Sequence, residues 1–259
     1  HVSAAVTGGD ANTQDLHLGV APNATLYHAK AFNDTGSGTF SSTVNSMEWA
    51  VQQDADVISI SAGEKGQQSA YIEAVRNAEA SGAIVVAAIG NNGTGTSVSP
   101  GNTYDAISVG STNLEPDYPQ SGSFGIPDDE ISSFSGGETI DKTDWGTNQT
   151  TGDPVAPDEW PNSYDVPTVV APGNLIWSAD EEPNTQTNCR GFQPNKQLTC
   201  LEGTSMATPH VTGTVALMEA ANESELQPEY TKRVLKSTAV DLGEKSTRQG
   251  AGLINTTAV

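Results

Sequence analysis

The chain has 259 residues, enough for one domain with a substantial core, and 35% of them are hydrophobic. It carries 32 acidic against 11 basic residues, a formal net charge of −21, and a field of that sign repels nucleic acid and anionic lipid, so neither is expected as a partner. No apolar run approaches the roughly 18 residues of a membrane span, and the chain opens at His1 without a leader-like segment.

The first periodic element, in chain order, is TLYHAKAF (Thr25 to Phe32), which reads as a strand. After GSGTF, the row Val44, Met47, Glu48, Val51 has the i, i+3, i+4, i+7 spacing of a helix face. DVISIS (Asp56 to Ser61) is a β-branched strand ending before Gly63. Tyr71, Ala74, Val75 and Ala78 predict a second helix, stopped at Gly82. AIVVAA (Ala83 to Ala88) is apolar on both faces, as buried parallel strands are. AISVGS and TVVAPG supply further strands.

Alternating strands and helices imply parallel βαβ units, hence an α/β fold with a doubly wound, mostly parallel sheet and helices on both faces. Sites in such sheets form beyond the carboxyl ends of the strands, here after Phe32, Ser61, Ala88 and Gly173. The polar stretch from Glu138 to Asp165 has no clear period and reads as a surface insertion within a single domain spanning 1–259. The acids are dispersed rather than gathered in a tail, a pattern suited to solubility in high salt, so a halophilic source is expected. Cys189 and Cys200 flank a Gly/Pro/Asn-rich loop. One local disulfide closing it suits an exported protein; two free thiols are the alternative.

The stretch GTSMATPHVTG places Ser205 at or just before the start of a buried helix, with Pro209 expected in the first turn. Backbone N–H groups and the helix dipole would then surround its hydroxyl. Taken alone, that is equally an N-cap serine and a nucleophile whose attack creates an oxyanion. No G-x-S-x-G elbow is present, which argues against an α/β-hydrolase.

GTSMATPHVTG resembles the serine motif of the subtilisin-like serine proteases, and LGVAPNATLYHAKAF, GSGTF, MEWA, DVISISAG, VVAAIGNNG, ISSFSGG, VVAPG and GAGLINTTAV resemble family blocks in the family's order. The resemblance implies a secreted serine endopeptidase with polypeptide substrates, expected to be monomeric. It makes Ser205 the nucleophile and Asn91 the oxyanion donor, with the Ser205 N–H as second donor. Ser61, Ala62 and Gly63, with Ala88 and Gly90, are similar to the segments that line the substrate cleft. Gly36, Ser37 and Gly38 resemble its opposite edge, so an extended peptide would lie between them as an added strand. Three departures bear on specificity. Ala62 and Glu64 stand where the family has leucine and glycine, and Ile89 where alanine is common. The smaller Ala62 and the bulkier Ile89 are expected to reshape the specificity pocket, and Glu64 to favour basic or polar substrate residues.

The general base is the gap. Of four histidines, His210 lies five residues past Ser205 on the same helix, His28 falls in the first strand beside the core, and His17 in a loop. His1-Val2 matches the second HV of the family's HGTHV block, whose first histidine is catalytic. The expectation is therefore a fragment lacking the catalytic His and Asp and the N-terminal strands, inactive by itself and poorly folded through an exposed sheet edge. A non-catalytic peptide-binding relative is the alternative. Calcium is the cofactor the resemblance implies, with Asp10 and Asn12, beside Gln14 and Asp15, as oxygen ligands.

Overall fold

The computed structural model describes residues 1–8, 19–113, 131–153, 155–179, 198–222 and 225–259. A short helix α1 (Val2–Thr7) is followed by α2 (Phe40–Gln52), whose start is fixed reciprocally: Thr39 Oγ1 accepts from Ser42 N–H at 3.1 Å, and Ser42 Oγ accepts from Thr39 N–H at 2.9 Å. Next come β1 (Val57–Ile60), the two-residue β2 (Glu64–Lys65), and α3 (Ala70–Ala80), which buries Tyr71, Ile72, Val75 and Ala78. Gly82, at φ +95°, takes the turn out of α3 that a side chain would resist. β3 (Ile84–Ala88), the short β4 (Val98–Ser99) and β5 (Ile107–Thr112) follow, all buried. Beyond them lie β6 (Glu138–Asp141), β7 (Ser163–Val166), β8 (Val169–Pro172), β9 (Ile176–Ala179), β10 (Leu198–Leu201), α4 (Thr204–Ala221), α5 (Pro228–Thr238) and α6 (Ser246–Gln249).

The central sheet runs β1-β3-β5-β8, every pair parallel. Alternation along β3 explains its unbroken apolar run. Ile84 and Val86 pack on one face against Ala207, Val211 and Val215 of α4 and Leu235 of α5. Val85 and Ala87 pack on the other against Met47 of α2 and Val75 and Ala78 of α3. Each fully buried Val or Ile contributes about 1.5–3 kcal/mol by leaving water. Both faces are thus helix-covered, as the pattern predicts for a parallel sheet.

Two expectations fail here. Residues 25–32 form no strand: no ladder neighbour reaches them among the described residues, and Leu26, Tyr27 and Phe32 are exposed. A strand-like pattern without a partner leaves its backbone groups to water. His28 accordingly lies on the surface, its Nδ1 2.9 Å from Ser3 Oγ, rather than beside the core. The stretch from Glu138 to Asp165 is likewise more than a polar surface loop. β6 and β7 pair antiparallel, and Ile140, Trp145, Ala156, Trp160 and Val166 close a small core on Ile72 and Ile89. Aromatic spacing set by a hairpin and a 3-10 turn carries no single period, which is why the sequence hides it.

Lys232 of α5 joins the helix layer to the loop before β5. Its ammonium donates to the carbonyls of Tyr104 and Ala106 and lies 5.0 Å from the Tyr104 ring centre. Burial pulls it down to about 8, while burial and the neighbouring Asp105 push Glu79 up to about 7. A carboxyl raised in the folded state contributes stability that is full below its ordinary 4.5 and is lost as pH rises through about 7. A depressed lysine adds stability only as pH climbs from about 8 toward 10.5. Glu79→Gln is therefore expected to flatten the fall in Tm between pH 4.5 and 7, read by calorimetry across that range.

Candidate active site

Three strand ends deliver backbone to one point. β1 runs into Ser61, β3 into Ile89, Gly90 and Asn91, and β8 into Gly173, all at the carboxyl edge of the sheet. The start of α4 is tied to that edge, with Gly203 N–H donating to Gly173 O at 2.8 Å. Gly203 has φ +146°, which favours glycine, and a Cβ there would stand 3.2 Å from Asn91 Nδ2 and press on the amide.

Asn91 is held by one side of its amide. Its Oδ1 accepts from Thr204 N–H at 2.8 Å and from Thr204 Oγ1 at 2.9 Å, while Thr204 Oγ1 itself accepts from Gly90 N–H at 3.2 Å. With the oxygen saturated, Asn91 is an exposed residue whose Nδ2 finds no acceptor among the described residues. The strand-end loop is itself clamped by residues 131–137. Gly93 N–H donates to Phe134 O and Gly136 N–H to Gly90 O, both at 2.8 Å. Arg248 adds bonds to Thr94 Oγ1 and Ser135 O. Sequence reading names Asn91 but misses Thr204. The signal was available, because an amide that must aim its nitrogen needs something to fix its oxygen.

Ser205 is the second residue of α4, so its N–H belongs to the first turn, where no intrahelical acceptor exists. Its Oγ donates to Ser61 O at 2.9 Å. A serine hydroxyl, a helix N–H with no acceptor among the described residues and an amide nitrogen thus gather at the positive end of an eighteen-residue helix, a place for developing negative charge. Pro209 is the sixth residue of α4 rather than part of its first turn, since the helix begins at Thr204.

None of the described histidines serves the Ser205 hydroxyl. His1 Nε2 lies 3.1 Å from Ile176 O, His28 bonds Ser3, and His210 Nδ1 lies 2.9 Å from Met206 O one turn back along α4. Burial lowers the His210 pKa, favouring the neutral ring. His17 lies outside the described residues, as do Asp10, Asn12, Gln14, Asp15 and Cys189. Cys200 is disulfide-bonded. Among the described residues no group of three or more His, Cys, Asp or Glu converges as a metal site would require.

Of the expected substrate edges, Gly38 and Gly63 line one cavity of about 70 Å³ with Phe32, Glu64 and Tyr71. Gly36 takes φ +74° at the turn before it, and Ser37 O accepts from Asn33 N–H at 2.9 Å. Ala62 is half-buried beside Ser61, Ala88 closes β3, and Gly90 takes φ +106°. Ile89 departs from expectation. It is fully buried and packs into the hairpin core with Ile140, Trp145 and Trp160, so its bulk serves that core rather than an open pocket.

A mostly parallel α/β sheet whose strand ends bring a helix-start serine close to an asparagine amide is an arrangement that serine hydrolases use. Among them, the chain belongs to the subtilase family, which it matches over residues 1–252. It is 34% identical to Subtilisin DY of Bacillus licheniformis over 258 residues, all of this chain and 75% of that protein. It is 31% identical to Subtilisin Savinase of Lederbergia lenta, covering 93% of this chain and 70% of that one. With Subtilisin E of Bacillus subtilis it shares 33% identity over 93% of its own length and only 50% of the relative's. Among solved structures, a protease from Pseudoalteromonas arctica superposes with a TM-score of 0.63 at 23% identity, over 93% of this chain and 63% of that one, a likeness of fold.

Proposed function

We propose that this chain carries the nucleophile and oxyanion site of a secreted serine endopeptidase. The observation that carries the reading is Asn91, fixed through its oxygen by Thr204, with a nitrogen that no described residue accepts from and that lies near the Ser205 N–H around Gly203. Ser205 Oγ attacks the carbonyl carbon of a peptide bond, and its proton passes to a general base. The carbonyl oxygen becomes an oxyanion held by Asn91 Nδ2 and the Ser205 N–H. Collapse expels the amine, which takes the proton, and water then hydrolyses the acyl-enzyme. The substrate lies extended between residues 36–38 and 61–63 as an added strand.

His1, His28 and His210 are engaged elsewhere, so the base is an imidazole other than these three. Where no such imidazole meets Ser205, the hydroxyl reacts slowly. Oxyanion stabilisation and binding still leave about 10³–10⁴-fold acceleration over water in enzymes of this type stripped of triad members. A second reading, a peptide-binding relative without catalysis, is favoured by the Ser205 hydroxyl donating to a carbonyl instead of a base.

Acylation by an activated p-nitrophenyl ester, with the adduct mapped by mass spectrometry, separates the two. The protease reading expects the acyl group on Ser205 and none on Ser205→Ala. Equal labelling of both proteins would leave the binding reading.

A further inference from the structure

A proline inside a helix removes one N–H, and its ring crowds the carbonyl four residues back. Pro209 does this to the carbonyl of Ser205, the residue whose backbone and side chain both belong to the site. That carbonyl is not left to water. Ser61 Oγ, at the end of β1, donates to it at 2.9 Å, and Ser205 Oγ donates back to Ser61 O, also at 2.9 Å. Two half-buried residues 144 positions apart thus exchange a pair of hydrogen bonds across the sheet edge.

We propose that Ser61 is a positioning residue: its hydroxyl replaces the helix N–H that Pro209 lacks and so sets the orientation of the Ser205 peptide, its N–H donor and its Oγ together. The arrangement gives the nucleophile a tie to the strand that a continuous helix would not supply. With an ordinary residue at 209, the Ser205 carbonyl would turn inward to the i+4 N–H and the first turn would be held by α4 alone. With Pro209 and Ser61, the first turn is held by β1, the strand whose continuation carries Ala62 and Gly63. Substrate edge and nucleophile then move as one body. The inference deepens the protease reading and rests on it for the reactivity of Ser205.

The hydrogen bond can be read separately from that reactivity. The chain has three methionines, and only Met47 and Met206 follow a serine. Labelling serine carbonyls with ¹³C and methionine amides with ¹⁵N therefore gives two HNCO peaks, Ser205–Met206 at the site and Ser46–Met47 within α2 as reference. Ser61→Ala should shift the Ser205 carbonyl upfield and leave Ser46 in place. In a Pro209→Ala background, where a helix N–H is restored, the same change should leave both peaks still. Acylation of Ser205 by the activated ester should slow about tenfold in Ser61→Ala, the worth of one hydrogen bond, and Ser61→Ala/Pro209→Ala should react as fast as Pro209→Ala alone. A Ser205 carbonyl that ignores Ser61→Ala, or an equal loss of rate in both backgrounds, would overturn the inference. Absence of acylation in the parent chain would sink the protease reading instead, and the carbonyl shifts alone would then decide whether Ser61 holds Ser205.

Discussion

Asn91→Asp is expected to slow acylation of Ser205 by about 10²–10³-fold, the usual cost of one oxyanion donor, while leaving the fold and the affinity for substrate nearly intact. The separation follows from how the amide is used. Its oxygen is structural, accepting Thr204 N–H and Thr204 Oγ1, and a carboxylate oxygen accepts both in the same geometry. Its nitrogen is the part with no acceptor among the described residues, and a carboxylate has nothing to donate there. A negative charge beside a developing oxyanion adds repulsion, so aspartate should be the slowest variant although the most native in shape. Asn91→Leu removes both functions. Thr204 is fully buried, and losing its acceptor should lower stability by about 1–3 kcal/mol along with the rate. The comparison is read as acylation rate against Tm for the parent and the two variants. Equal rates for aspartate and parent would remove Asn91 from the site, and an aspartate variant that melts as early as the leucine one would mean that Thr204 does not hold its oxygen.

The placement of Ser205 and Asn91 at a helix start and a strand end was legible in the sequence, for a specific reason. Ser205 and Asn91 sit at the junctions where a buried strand or helix pattern meets glycine, and those junctions are where a parallel sheet exposes backbone for chemistry. β3 was readable because both its faces are buried, which makes the sequence apolar throughout. The strand pattern at 25–32 failed because alternation reports what a segment could bury, not whether a neighbour is present to pair with it. The hairpin core failed for the opposite reason. Trp145, Trp160 and Tyr164 are drawn together by tertiary geometry, with Trp145 Nε1 donating to Tyr164 Oη at 3.0 Å, and no periodicity marks them. Ile89 shows both effects in one residue. Its position beside Gly90 and Asn91 was clear, but the face it presents was set by a hairpin some fifty residues downstream. The Ser61 tie was hidden because it needs two facts that sequence gives separately, a proline in a helix and a strand end that reaches it.

Lys232→Met is expected to cost about 1–3 kcal/mol, the penalty of buried carbonyls left without a donor, offset in part because burial already disfavours the ammonium. Methionine keeps the length and most of the apolar contact of the lysine stem, so the loss isolates the ammonium. That group does two jobs. It satisfies the carbonyls of Tyr104 and Ala106 at the entrance to β5, and it offsets the charge of Glu79 and Asp105, which also receive Arg76. Without it, the carbonyls lose their donor, and two carboxyls already raised by burial lose a compensating cation. The prediction therefore has a pH signature. A lost cation should push Glu79 further up, so the penalty should be smallest where Glu79 is protonated, below about 7, and grow as pH rises through that value. Glu79→Gln combined with Lys232→Met should recover the pH-dependent share of the loss and leave the share owed to the unmet carbonyls. Denaturant titrations of the three variants and the parent on either side of pH 7 read both shares. A penalty identical at every pH, or a double variant no more stable than Lys232→Met alone, would show that Lys232 acts through its carbonyl bonds and not through charge. Because those carbonyls lead directly into β5, and β5 hydrogen-bonds β3 up to Ala88, the same variant should also loosen the strand end that carries Asn91.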